Sequence, residues 1–86
     1  MPTFRKLTHR ALSDFAKSAG PEAEIRDTEI TGYHGRQRKR GLALRFYYRT
    51  ADGKRRVATI GRFGDISSEA ARQIAKDMAA EVAKGG

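Results

Sequence analysis

Eighty-six residues with a formal net charge of +8, two histidines and no cysteine describe one small domain with neither disulfides nor thiolate-held metal to staple it. Leu, Ile, Val and Phe number 15, about 17% of the chain, so folding depends on how well these few apolar residues are patterned. The apolar runs are too short for a membrane-spanning helix, the opening MPTFRKLTH lacks the apolar segment of a signal peptide, and His9 and His34 are too few and too far apart for a metal site; the expected setting is a reducing cytoplasm.

In chain order, Thr8 to Ser18 reads as a short helix. Thr8 is placed to cap it, Ala11, Leu12, Phe15, Ala16 and Ala19 fall at helical spacing, and Gly20-Pro21 stops it. The polar stretch EAEIRDTEITGY, anchored by Ile25 and Ile30, offers a short edge strand ending near Gly32. Leu42 to Thr50 alternates, with Leu42, Leu44, Phe46 and Tyr48 on one face and Ala43, Arg45, Tyr47 and Arg49 on the other. TADGKR is a hairpin turn with Asp52-Gly53 at its tip. Arg55 to Gly61 is the returning strand, with Ala58 and Ile60 inward and Arg55, Val57 and Thr59 outward. The last 23 residues hold the clearest helix. Ser67 is its N-cap, and Ala71, Ile74, Ala75, Met78, Ala79 and Val82 form an apolar stripe. Arg72, Lys76, Asp77, Glu81 and Lys84 lie on the other side, and Gly85-Gly86 ends the helix. The economical architecture packs that helix on the apolar face of a small antiparallel sheet.

Charge is unevenly spread. Tyr33 to Gly64 holds ten Lys or Arg against one acid, Asp52, whereas the remainder holds eight against nine. A polyanion-facing surface fits this better than a merely soluble basic protein. The outer strand face carries Arg45, Tyr47, Arg49 and Arg55. A β-ribbon fits the major groove of B-DNA, where Arg pairs with guanine edges and Lys or Arg neutralises phosphates. The plainer alternative is a solvated strand face paired with nearby acids, of which the region offers only Asp52. For His34 the plain reading is an exposed polar residue, and for Arg62 it is an ion pair with Asp65 or a turn cap. Enzymatic readings fail for want of a Ser-His-Asp or Cys-His set, of a phosphate-binding glycine loop, and of a carboxylate pair, since Asp27, Glu29 and Asp65 lie in unrelated segments.

Taken together, IRDTEITGYHGR and LRFYYRTADGKRRVATIGRFGDISSEAARQIAKDMAAEVAKGG resemble the N-terminal arm-type DNA-binding domain of phage-type integrases, in the tyrosine recombinase family. The resemblance covers essentially the whole chain. Its carriers are Asp27, Thr28 and Gly32, the FYYR of Phe46 to Arg49, the basic turn DGKRR, the Gly61-Arg62-Phe63 triplet, and Ala71-Arg72 after a leading serine. The resemblance implies an α+β fold: a three-stranded antiparallel sheet packed on a C-terminal helix, with a short N-terminal helix. It makes residues 1–86 a single non-catalytic domain, a fragment of a longer integrase whose parent is a tyrosine-type recombinase. The three tyrosines match no catalytic motif. GYHGRQRKRG becomes the first strand and a turn closed by Gly41. The family's first strand is usually apolar inward, and Tyr33, Gly35 and Gln37 make a poor core face, so a short, bulged or frayed strand is expected.

The implied function is sequence-specific duplex binding by the exposed sheet face in the major groove, positioning an integrase on arm-type sites of a prophage for recombination. Groove contacts are expected from Arg36, Arg45, Tyr47, Arg49 and Thr59, and phosphate contacts from Arg38, Lys39, Arg40, Lys54 and Arg55; His34 is counted among the DNA-binding residues, with the plain exposed reading standing beside base contact. No cofactor, metal or membrane is expected. The partners implied are double-stranded DNA and, through the full-length protein, other integrase protomers and accessory DNA-bending proteins, in the bacterial cytoplasm at the nucleoid. The alternatives are an RNA-binding module, because a basic sheet with aromatics stacks bases, and a docking domain for an acidic protein.

Overall fold

A computed structural model describes residues 3–84. Its elements run β1 (Thr3–Phe4), α1 (His9–Ser18), β2 (Glu24–Arg26), β3 (Tyr33–Arg38), β4 (Gly41–Arg49), β5 (Arg55–Arg62) and α2 (Ser68–Ala83). The sheet is therefore five-stranded and mixed, in the order β1-β2-β3-β4-β5, and not the three-stranded antiparallel sheet expected. The two additional strands are short. β1 pairs with β2 in parallel over two residues, too few for any alternation to show in the sequence. β2 ends at Arg26 and not near Gly32, because Asp27 turns the chain. Its carboxylate accepts the Glu29 and Ile30 N–H groups at 2.8 and 2.5 Å.

Both helices open on the side-chain caps that the sequence offers. Thr8 accepts the Ala11 N–H at 3.2 Å and Ser67 accepts the Ala70 N–H at 3.0 Å. Each helix begins one residue after its cap, which places Thr8 outside α1. The stop assigned to Gly85-Gly86 lies outside the described residues. The helices share the inner sheet face, which α2 does not cover alone. Leu12 of α1 and Leu7 before it join Ile25, Ile30, Tyr33, Leu42, Leu44, Phe46, Ala71 and Ala75 in one buried cluster. The alanines let α2 approach the sheet closely, while the large residues of β3 and β4 supply most of the apolar area, each worth about 1.5–3 kcal/mol when fully buried.

β3 is regular. Six consecutive residues pair with β4, from Tyr33 opposite Phe46 to Arg38 opposite Gly41, with no bulge. The short, bulged or frayed strand expected from Gly35 does not occur, because neighbouring side chains fill the space that glycine leaves. A Cβ on Gly35 would lie 3.2 Å from both the Ile25 and Leu42 methyls. Tyr33 is 1% exposed and is among the largest buried side chains; burial first, then Asp27, pushes its phenol up to about 12. The irregularity falls instead in β5. Leu44 pairs with Gly61 and Arg45 with Thr59, which leaves Ile60 as an extra residue. Ile60 still packs against the core, as expected.

Candidate nucleic-acid interface

Among the described residues, the outer face of the sheet carries no helix. Cross-strand register sets its rows. Phe4, Arg26, His34, Arg45 and Thr59 lie side by side across all five strands, and Tyr47 pairs with Val57 and Arg49 with Arg55 in the next rows of β4 and β5. Thr59, Arg49 and Arg55 are exposed, and Arg45 and Tyr47 are half-buried. Arg49 facing Arg55 is a like-charge cross-strand pair, an arrangement that costs stability in the free domain.

Gly32 organises the centre of this face. Its φ of 97° lies in the left-handed region, and a Cβ there would run into the Tyr47 carbonyl oxygen. Its own carbonyl accepts the Tyr47 N–H and the His34 Nδ1–H, each at 2.9 Å. The His34 and Tyr47 rings then stack, with centroids 4.4 Å apart and planes 15° apart. With Nδ1 donating, Nε2 of the neutral ring is the acceptor, and Arg45 Nε donates to it at 3.3 Å.

His34 therefore does not sit where it was expected. It points to the outer face but is 1% exposed, covered by the residues around it, and not the exposed polar residue of the plain reading. Its burial pushes the ring below its ordinary 6.5, against the Gly32 carbonyl and the Glu24 carboxylate, which favour the charged form.

The remaining cations divide into two groups at opposite ends of β4. Lys39 and Arg40 form the two-residue turn between β3 and β4 and are exposed. Lys54 and Arg55 follow the turn at Asp52-Gly53, where Gly53 has φ 84° and the Thr50 hydroxyl donates to Asp52. Lys54 Nζ is 4.0 Å from Asp52. Arg62 is structural, as expected: it pairs with Asp65 at 3.4 Å and donates to the Arg40 carbonyl at 3.2 Å.

Asp52 is not the only acid beside these cations. Glu22 reaches back along the β2 side, accepting from Arg36 Nε at 2.9 Å and lying 3.5 Å from Arg38. Hydrogen bonding from Arg36 holds the Glu22 carboxyl below its ordinary value. Glu24 lies 3.5 Å from Arg26 and 3.9 Å from His34. Arg36 and Arg38 are thus partly neutralised, while Lys39, Arg40, Arg45, Arg49 and Arg55 pair with no acid among the described residues. Sequence distance hid Glu22 and Glu24, which lie outside the basic stretch. Arg26 and Phe4, also on the outer face, were hidden because the two strands that carry them are short.

Arg72 also departs from its expected place. It was expected on the solvent side of α2, yet its guanidinium binds Asp27 at 2.7 Å and Glu29 at 2.5 Å, so Asp27 and Glu29 form one ion-pair cluster and not unrelated charges. Burial works to raise the Asp27 carboxyl, but the Arg72 hydrogen bond and the Leu7, Ile30 and Glu29 N–H groups outweigh it and hold it below 3.8.

Among the described residues no cluster of His, Asp or Glu has the form of a metal site, and no helix is long and apolar enough to cross a membrane. What the outer face offers is fixed donors, an aromatic and surplus positive charge, which suits a polyanion with readable edges. No curated protein and no solved structure matches the chain. A family profile described as an arm DNA-binding domain matches residues 7–86. The match takes in α1, the four strands from β2 to β5 and α2, and the chain belongs to the arm DNA-binding domain family of phage integrases, a non-catalytic DNA-binding module.

Proposed function

We propose that the chain reads a specific duplex with the outer face of β3, β4 and β5 in the major groove, positioning a tyrosine-type integrase on arm-type sites. The observation that carries this is the helix-free row of Arg45 and Thr59 beside Tyr47, with unpaired cations at both ends of β4. Size supports it. Three strands span about 10 Å between their outer axes, which fits a groove about 12 Å wide. All five would span about 19 Å, so β1 and β2 stay above the rim and bring Arg26 near the backbone. Arg45, Tyr47, Arg49 and Thr59 meet base edges. Lys39, Arg40, Lys54 and Arg55 meet phosphates on either side, and Arg36 and Arg38 reach phosphates once released from Glu22. His34 acts from beneath.

The test is a titration of labelled duplex DNA and single-stranded RNA at two salt concentrations. Arg45→Ala lowers affinity for a selected duplex by about 1–3 kcal/mol and relaxes its sequence preference. Equal loss on random duplex would make Arg45 a phosphate contact. Lys39→Ala reduces the salt slope by about one and leaves preference unchanged. Tighter binding to single-stranded RNA than to any duplex would sink the groove reading.

A further inference from the structure

Arg45 is the central cation of the reading row, and its side chain is anchored on a group that titrates. His34 Nδ1 is committed to the Gly32 carbonyl, and its Nε2 accepts from Arg45 Nε. A neutral imidazole has one acceptor, so both nitrogens are occupied. The ring plane is set by the stack on Tyr47. Near the same nitrogen stands Glu24, whose Oε1 is buried, lies 3.9 Å from His34 Nε2 and 3.5 Å from Arg26 Nε, and has no hydrogen-bond partner among the described residues.

We infer that His34 is a proton-operated positioning residue for Arg45: when neutral it holds the guanidinium on the reading row, and when protonated at Nε2 it releases Arg45 and shares the Glu24 carboxylate oxygen with Arg26. This rests on the reading of Arg45 as a groove contact. Protonation places an N–H where the Arg45 N–H already points, so the two donors oppose each other. The charged groups facing the ring are Glu24 and Arg26 from β2 and Arg45 from β4, two cations against one acid, with the Tyr47 ring completing the enclosure. Burial is the largest influence and favours the neutral ring. Folding therefore excludes a proton that the unfolded chain binds near 6.5, and stability falls as pH drops from 6.5 toward the lower folded value. Because His34 is 1% exposed, any influence on DNA passes through its neighbours. A solvent-exposed histidine would act in the opposite sense, since an added charge strengthens binding to any duplex.

The experiment uses the 86-residue chain, a duplex that it selects from a random pool, and a random duplex as reference, from neutral pH to about pH 5. The His34 ring is followed by NMR in parallel. The ring is expected as the Nδ1–H tautomer at neutral pH. As it protonates, preference for the selected over the random duplex drops by about tenfold while affinity for random duplex does not fall. His34→Phe, which keeps a ring against Tyr47 but offers Arg45 no acceptor, shows the reduced preference already at neutral pH, with a flat profile. Adding Arg45→Ala to it costs little more. A preference that stays constant through the observed titration overturns the inference, even where His34→Phe fails to fold. So does a folded His34→Phe with wild-type preference that Arg45→Ala still weakens. If Arg45→Ala leaves the wild-type preference intact at neutral pH, the groove reading falls first and the inference with it.

Discussion

At Asp27 one carboxylate serves four donors. Leu7 N–H and Arg72 meet one oxygen, and Glu29 and Ile30 N–H meet the other. The residue thereby ties the entry to α1, the turn after β2 and the start of α2 to one point. Its side chain is 0% exposed and that of Arg72 is 15% exposed, so removing the cation leaves a buried charge held by backbone donors alone. Arg72→Ala is expected to destabilise the domain by about 3 kcal/mol at neutral pH. The Asp27 carboxyl is depressed in the fold, so its contribution is present above 3.8 and is lost as pH falls through the lower folded value. Urea midpoints of the two proteins should therefore converge in strong acid; a gap that persists there would show that packing of the Arg72 stem, and not charge, is what matters. Both residues stood out in the sequence as parts of a family pattern, but their joint role did not. Forty-five positions separate them, and helical periodicity alone assigned Arg72 to solvent.

Among the elements, β4 was the most legible, β3 was legible but misjudged, and β1 was not legible at all. Alternation from Leu42 to Tyr48 puts large apolar residues on one side, and the structure buries Leu42, Leu44 and Phe46 as that alternation requires. In β3 the inward residues are a tyrosine, a glycine and a glutamine, of which only the tyrosine is a good strand former. They work because Ile25 from the two-sided neighbour β2 leans into the gap at Gly35. Since β2 was itself barely visible in the sequence, its contribution to β3 was invisible too. Gly35→Val separates the two influences. Strand propensity alone predicts a gain, but contact with Ile25 and Leu42 predicts a loss of about 1–3 kcal/mol from overpacking, measured as a shift in urea midpoint at constant slope. A more stable variant would mean that the neighbours yield freely.

For the molecule as a whole, the division of labour between faces came through in the sequence, whereas the local neutralisation did not. Net charge of the basic stretch counts cations without regard to their partners, and Glu22 offsets two of them through space. Removing that carboxylate frees Arg36 and Arg38 for phosphates. Glu22→Gln is expected to tighten binding to any duplex and to steepen the salt dependence by about one to two units, read from affinities across a salt series. An unchanged slope would show that these arginines stay clear of the backbone.

Among the described residues, β5 has a neighbour on one side only. A strand of eight residues with one open edge is a template on which a second copy of the same chain can align and grow. Here the edge is interrupted by the extra residue Ile60 and flanked by Arg55, Arg56 and Arg62. Positive charge along an open edge disfavours the addition of a second, equally charged copy. Neutralising Arg55 or Arg56 is therefore expected to promote association of copies along this edge, so DNA binding in such a variant has to be read beside its state of association.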